Sequence, residues 1–256
     1  MSEQKVAANE VVEAHQERPQ RVLVIVAHPD DADFGIAGTI ARWVRAGSVA
    51  RMVCCTSGDA GADDPATDPL ALARLREQEQ RNAASVVGYE GVAFLHRPDG
   101  ALANDLALRE QLVREIRAFR PDAVLAMDPE VTILDNSFVQ HTDHRQAAMA
   151  ALDAVYPAAR NAMAFPQLAL NEGLPPHEVN RIYLFFSNHP TVWVDTTDTL
   201  DVKLAALREH ASQLRKPDEL EERMRAWSAE DGQRIGRPAA ESFRLVTIGG
   251  RPPVAG

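Results

Sequence analysis

The 256-residue chain lacks several things, and each lack removes a class of function. No apolar run approaches the ~20 residues that a membrane-spanning helix requires. Residues 1–20 are polar and acidic, without the basic segment and apolar core of a secretory signal. They read as a flexible tail, and the protein as cytoplasmic. Positive charge is short too: 27 Lys and Arg stand against 37 Asp and Glu, a formal net charge of −10. The arginines alternate with glutamates along helical segments and form no basic stripe, which speaks against a nucleic-acid binder. The only cysteines are the neighbours Cys54 and Cys55. Adjacent side chains of a strand point to opposite faces, so these two read as small core residues in a reducing compartment.

What is present is an alternation of two periodicities. Strand-like apolar runs recur at 21–27, 49–56, 92–96, 122–127, 181–186, 191–195 and 243–248. Helical spacing appears over 36–46, 69–87 and 104–119, stopped by Gly47, Gly88 and Pro121. That order predicts an α/β, Rossmann-like three-layer fold around a mostly parallel sheet, with the active site at the C-terminal ends of the strands. Pro157, Pro166, Pro175 and Pro176 punctuate a weakly periodic stretch, so 156–180 is expected to be a long loop segment over the sheet edge. Residues 199–214 read as helix again, and 216–231 as a charged segment. A single domain over 21–256 is expected.

Chemistry concentrates where the first apolar run stops. Arg21-Val-Leu-Val-Ile-Val-Ala27 has the continuous β-branched character of a strand buried on both faces. His28-Pro29-Asp30-Asp31 follows at once, at the strand end where open α/β sheets bind ligands. A second cluster, His141-Thr142-Asp143-His144, opens the helix-like run that follows the strand at 122–127. Two imidazoles and one carboxylate leave a coordination position open, as a catalytic zinc needs. His28 and Asp31 are three apart across a turn, so both can face one point. His141 and His144 are three apart near a helix start, and either one completes the set.

These clusters resemble the signatures of the LmbE/PIG-L family of zinc-dependent N-deacetylases. Further positions carry the likeness: Gly35-x-x-Gly38-Thr39-Ile40, Thr56-x-Gly58-x-x-Gly61, Arg76-x-x-Glu79 and Pro98-Asp99-Gly100. Asp195, Lys203, His210, Ser212 and Gln213 match the usual C-terminal run. The resemblance covers about residues 21–215. It implies that His28, Asp31 and His144 are the metal ligands, Asp30 the general base, and a protonated His141 the stabiliser of the oxyanion. It implies contacts of Arg76 and Asp99 with the sugar or acyl group. One Zn2+ per chain is implied, with Fe2+ or Co2+ as alternatives. Ala32 stands where many relatives carry glutamate. Val139 stands where thiol-pathway deacetylases carry tyrosine, and Ala62 replaces an acidic residue of that branch.

The reaction so implied is removal of an acetyl group from an N-acetylated amino sugar or glycoside. A zinc-held water, its pKa lowered from ~15.7 toward ~7, gives its proton to Asp30, and the amine leaves protonated. The partners implied are a small-molecule substrate and, as in several relatives, further copies of the chain in a trimer or hexamer. Neither a nucleic acid nor a membrane is expected. The runner-up is another mononuclear metallohydrolase, acting on the amide of a thiol conjugate or on a phosphoester. Phosphoester sites usually recruit two metals and more carboxylates. A dinucleotide-binding module is disfavoured because Gly35-x-x-Gly38 lacks the full fingerprint. A silent sugar-binding protein is disfavoured because every expected catalytic position is filled.

Overall fold

The computed structural model describes residues 11–134, 136–214 and 216–249. The strands are β1 (Arg21–Val26), β2 (Val49–Thr56), β3 (Gly91–Arg97), β4 (Ala123–Met127), β5 (Ile133–Leu134), β6 (Phe138–Val139), β7 (Arg181–Phe185), β8 (Val192–Asp195) and β9 (Ala240–Thr247). The helices are α1 (Asp31–Gly35), α2 (Ala37–Arg45), α3 (Pro69–Val87), α4 (Leu106–Phe119), α5 (Thr142–Asp153), α6 (Pro166–Glu172), α7 (Leu200–Arg208) and α8 (Pro217–Gln233). Seven strands form one sheet in the order β3-β2-β1-β4-β7-β9-β8, and β5 pairs with β6 as a separate hairpin. The run β3-β2-β1-β4-β7 is parallel; β9 joins both of its neighbours antiparallel. The α/β, three-layer, mostly parallel expectation holds.

Burial of β1 on both faces explains its continuous apolar sequence. Val22, Val24 and Val26 pack into one layer with Ile36, Ile40, Trp43 and Val87 from α1–α2 and α3. Leu23 and Ile25 pack into the opposite layer with Leu108, Leu112, Ile116 and Phe119 of α4 and Ala147 and Ala151 of α5. Each large side chain so buried contributes about 1.5–3 kcal/mol of hydrophobic stabilisation. With β1 and β4 at the centre of the parallel run, their C-terminal ends open onto one crevice. Both His clusters follow those ends.

The helix boundaries follow local chemistry. α3 begins at the N-cap Asp68, whose carboxylate accepts from the Leu70 N–H at 3.0 Å, with Pro69 at the first position. It stops at Gly88, where φ is 99°. The segment 156–180 departs from the loop expectation, since it contains α6, which follows a π-type turn at Ala154–Ala158. Only Leu168 of α6 is buried, so no apolar stripe announces the helix. The chain before it is pinned by Arg117 of α4, whose buried guanidinium donates to the carbonyls of Ala158, Ala159, Asn161, Ala164 and Phe165. The charged segment at 216–231 is helix α8.

Residues 11–20 are the described part of the expected tail: the first of them lie against the sheet edge, while Arg18 and Pro19 bond Ser48 and the Gln20 N–H donates to Asp122. The Val12 N–H donates to Arg234 O, the His15 N–H donates to Trp193 O, and the His15 ring meets the Tyr183 hydroxyl at 3.1 Å. That covers β8, an edge strand whose open backbone would otherwise invite pairing with another chain. Residues 1–10 of the expected tail lie outside the described residues. Among the described residues, no helix is long and apolar enough to cross a membrane.

Candidate active site

The turn that ends β1 is built around a strained residue. Asp30 has φ 90° and ψ −30°, a left-handed conformation that side-chain-bearing residues seldom adopt. Its carbonyl accepts from the N–H groups of Asp33 and Phe34, which starts α1. Asp31 then reaches back: its Oδ2 accepts from the Ala27 N–H at 3.1 Å and the His28 N–H at 2.8 Å. The backbone thus fixes this carboxylate beside the His28 ring, 3.7 Å from Nδ1.

α5 supplies the second cluster. His141 is its N-cap, with Nδ1 accepting from the Asp143 N–H at 3.2 Å. One turn in, His144 places Nε2 3.1 Å from Asp31 Oδ1 and 3.2 Å from His28 Nδ1. Ligands about 2.0–2.1 Å from a tetrahedral ion stand about 3.3 Å from each other. The two edges from His144, 3.1 Å to Asp31 Oδ1 and 3.2 Å to His28 Nδ1, are close to that, while the His28–Asp31 edge is longer, 3.7 Å, and runs to Oδ2. Ring nitrogens of His28, His141 and His144 also lie within 4.8 Å of one another, so His141 stands beside the same point.

The far nitrogen of His28 faces carboxylates. Its Nε2 is 3.0 Å from Asp99 Oδ1 and 3.3 Å from Asp143 Oδ2. Asp143 is fully buried and also accepts from the N–H groups of Gly100 and Leu102. A metal-binding imidazole commonly donates its other N–H to a carboxylate in this way. The sequence reading missed Asp143 as a site residue. The available signal was its phase: with Ala147, Ala150 and Ala151 it lies on the buried stripe of α5, where a bare charge needs a purpose.

Charge in the cluster is unbalanced. Although burial alone would lower it, the carboxylates of Asp31 and Asp99 push the His28 pKa up to about 11. Burial works against Asp31 as well, and His144 and His28 overcome it, holding that carboxyl well below its usual range. So many acceptors around one ring call for a cation between them, whether a proton or a metal. Asp30 behaves differently: burial, reinforced by Asp31, raises its carboxyl to about 7. Burial and the rings of His28 and His144 lower the pKa of His141.

α3 closes the site from behind. Arg76 is buried and donates to Gly58 O at 3.0 Å and Pro29 O at 3.0 Å, and meets Asp30 Oδ2 at 3.3 Å. A Cβ on Gly58 or Gly61 would overlap its guanidinium, so the glycines of Thr56-x-Gly58-x-x-Gly61 make the seat for this arginine. Glu79 accepts from the N–H and hydroxyl of Ser212, and His210 Nε2 meets Asp33 Oδ2 at 2.9 Å. The C-terminal run therefore braces α3 and the α1 turn. The two expected substrate contacts sit within this frame: Arg76 lies against Pro29 and Asp30, and Asp99 lies between His28 and the Ala60 N–H. Lys203 stands apart, paired at 2.8 Å with Glu241, which accepts from the first amides of α2. A cavity of about 1110 Å³ opens between α8, β9 and the 187–191 loop; neither His cluster lines it.

Residues 23–155 match the family model of PIG-L, GlcNAc-PI de-N-acetylase. The chain is 30% identical over 231 residues to the diacetylchitobiose deacetylase of Thermococcus kodakarensis, covering 89% of this chain and 83% of the other. Its fold superposes on the N,N'-diacetylchitobiose deacetylase of Pyrococcus horikoshii with a TM-score of 0.82 at 29% identity, over 90% of this chain and 84% of that one. The 4-carboxy-2-hydroxymuconate hydratase of Pseudomonas putida shares the fold alone, with a TM-score of 0.72 at 21% identity over 91% and 98% of the two chains. The family match spans both His clusters and the strands that position them, and the chain belongs to the PIG-L (LmbE-like) family of de-N-acetylases.

Proposed function

We propose that this chain is a metal-dependent N-deacetylase of a small N-acetylated amino sugar, with His28, Asp31 and His144 as the metal ligands. The observation that carries the reading is the convergence of those three side chains, with His144 Nε2 3.1 Å from Asp31 Oδ1 and 3.2 Å from His28 Nδ1, and His28 Nδ1 3.7 Å from Asp31 Oδ2, beside an acid, Asp30, that stands outside the triad. Two nitrogens and one carboxylate oxygen suit Zn2+, with Fe2+ and Co2+ accepted by the same donor types. A divalent ion held there supplies a Lewis acid for the amide carbonyl and acidifies the attacking water.

The chain's own groups do the rest. Asp30 takes the proton of the attacking water and returns it to the departing amine, a role served by a carboxyl raised to about 7. His141 faces the developing oxyanion. Its Nδ1 accepts from the Asp143 N–H, so the neutral ring carries its proton on Nε2 as a donor. A nitrogen that accepts a backbone N–H carries no proton of its own, so the donor here is read as the neutral ring and not the protonated one first expected. Such a donor contributes about 3 kcal/mol to transition-state binding. Arg76 holds the Asp30 turn and Asp99 the His28 ring, roles that position the reacting groups.

The test uses the zinc-loaded chain and N,N'-diacetylchitobiose, the substrate named for two relatives. Release of acetate with a matching free amine is expected. Asp30→Asn should keep the metal and lose nearly all turnover. An Asp30→Asn enzyme as fast as the parent would sink the mechanism.

A further inference from the structure

We propose that Gln80 is a positioning residue for the base, its amide oriented by Asp33 so that it presents an oxygen to the backbone N–H of Asp30. This rests on the reading of Asp30 as the base.

The Asp30 turn needs an external hold. A left-handed aspartate persists only where its surroundings over-determine it. On the carbonyl side the hold is local, from the N–H groups of Asp33 and Phe34. On the amide side nothing local is available, and Gln80 Oε1 on α3 accepts the Asp30 N–H at 2.8 Å. Arg76, one turn earlier on the same face of α3, takes the Pro29 carbonyl. The peptide carrying the base is thus gripped at both its oxygen and its nitrogen.

An amide side chain has a donor end and an acceptor end, and burial alone does not choose between them. Asp33 makes the choice. Its fully buried carboxylate is acceptor-only, and its Oδ2 takes the Gln80 Nε2–H at 2.8 Å. With the nitrogen end so engaged, only the oxygen end faces Asp30. His210, after α7 and 177 positions away, fixes Asp33 by donating Nε2–H to the same oxygen at 2.9 Å. The sequence holds these residues apart, at 30, 33, 80 and 210. Their sum is one line of hydrogen bonds running from the C-terminal run to the base. Without the Gln80 oxygen, the Asp30 N–H loses its acceptor, the turn relaxes, and the carboxylate leaves its place beside Asp31.

The experiment compares Gln80→Met with Gln80→Glu in the zinc-loaded enzyme, on N,N'-diacetylchitobiose. Glu keeps an oxygen for the Asp30 N–H and meets Asp33 through a carboxyl proton. Gln80→Met is expected to lower kcat by about tenfold to a hundredfold, the scale on which a misplaced group costs rate. KM and metal content should stay within about twofold, and Gln80→Glu should recover most of the lost kcat. An unchanged kcat in Gln80→Met overturns the proposal, and so does equal impairment of the two variants. If Gln80→Met does not fold, hydrogen exchange of the Asp30 amide in the parent chain decides. Protection of about a hundredfold or more is expected, and exchange at the unfolded rate overturns the idea. An inactive Asp30→Asn beside a fully active Gln80→Met removes this proposal alone. A fully active Asp30→Asn removes the base assignment beneath it.

Discussion

His144 Nε2 lies 3.2 Å from His28 Nδ1 and 3.1 Å from Asp31 Oδ1, although 116 positions separate the two histidines. A neutral His144 ring can give its Nε2–H to only one of these two acceptors at a time, whereas a divalent ion would engage all three groups together. His144 also stands on the first turn of α5, where it adds little to the core. His144→Ala is therefore expected to abolish binding of a divalent ion, from about one per chain to almost none after dialysis. The melting temperature of the metal-free chain should change by only a few degrees. Elemental analysis of both proteins checks this, and an unchanged stoichiometry would exclude His144 as a ligand.

The seat of Arg76 offers a sharper mutation than Arg76 itself. Gly58 has φ 70°, and a Cβ there would overlap the guanidinium that holds Pro29 O. Alanine at this position meets both a disfavoured backbone and a buried charge that must move. Gly58→Ala is expected to cost about 2–3 kcal/mol of stability, through strain and a displaced buried arginine. Turnover should fall further than the melting shift accounts for, because the Asp30 turn loses its brace. Denaturant titration alongside steady-state kinetics separates the two effects. Equal stability and activity in the variant would show that the loop accommodates a side chain.

The sequence showed the donors of the site but not its scaffolding, for a physical reason. The proposed ligands and base sit in two short runs, His28–Asp31 and His141–His144, where type and spacing alone suggest metal chemistry. The strand β1 and the helix α3 were equally legible, since a doubly buried strand and a capped amphipathic helix write their burial into the sequence. Asp143, Gln80, Asp33 and His210 act through partners 41 to 177 positions away, and no local period marks such a pair. Arg76 and Asp99 were read as reaching toward substrate; within the chain they meet Pro29, Asp30, Ala60 and His28, partners that no local pattern announced. The hairpin β5–β6 escaped because two residues per strand carry no alternation. α6 escaped because it buries one side chain.

A last prediction concerns stability and pH at Asp231 on α8. Its carboxylate accepts from the Trp193 indole N–H at 3.2 Å, yet burial outweighs this bond and that from Ser242, and pushes the carboxyl up to about 6. Glu241 adds to the rise. A carboxyl whose folded pKa exceeds its ordinary 3.8 holds its proton more tightly in the folded chain. Its contribution to stability is therefore full below pH 3.8 and is lost as the pH climbs through 6. Asn at this position keeps an oxygen for the Trp193 N–H and cannot ionise. Asp231→Asn should accordingly melt above the parent at pH 8, by an amount worth roughly 1–2 kcal/mol once partial solvent screening is allowed for. The gap should narrow on acidification below pH 6 and vanish only well below pH 3.8, where the parent carboxyl is protonated in both states. Melting curves from pH 4 to 8 decide the matter, since a gap of constant size would mean that Asp231 ionises as easily in the fold as in the unfolded chain.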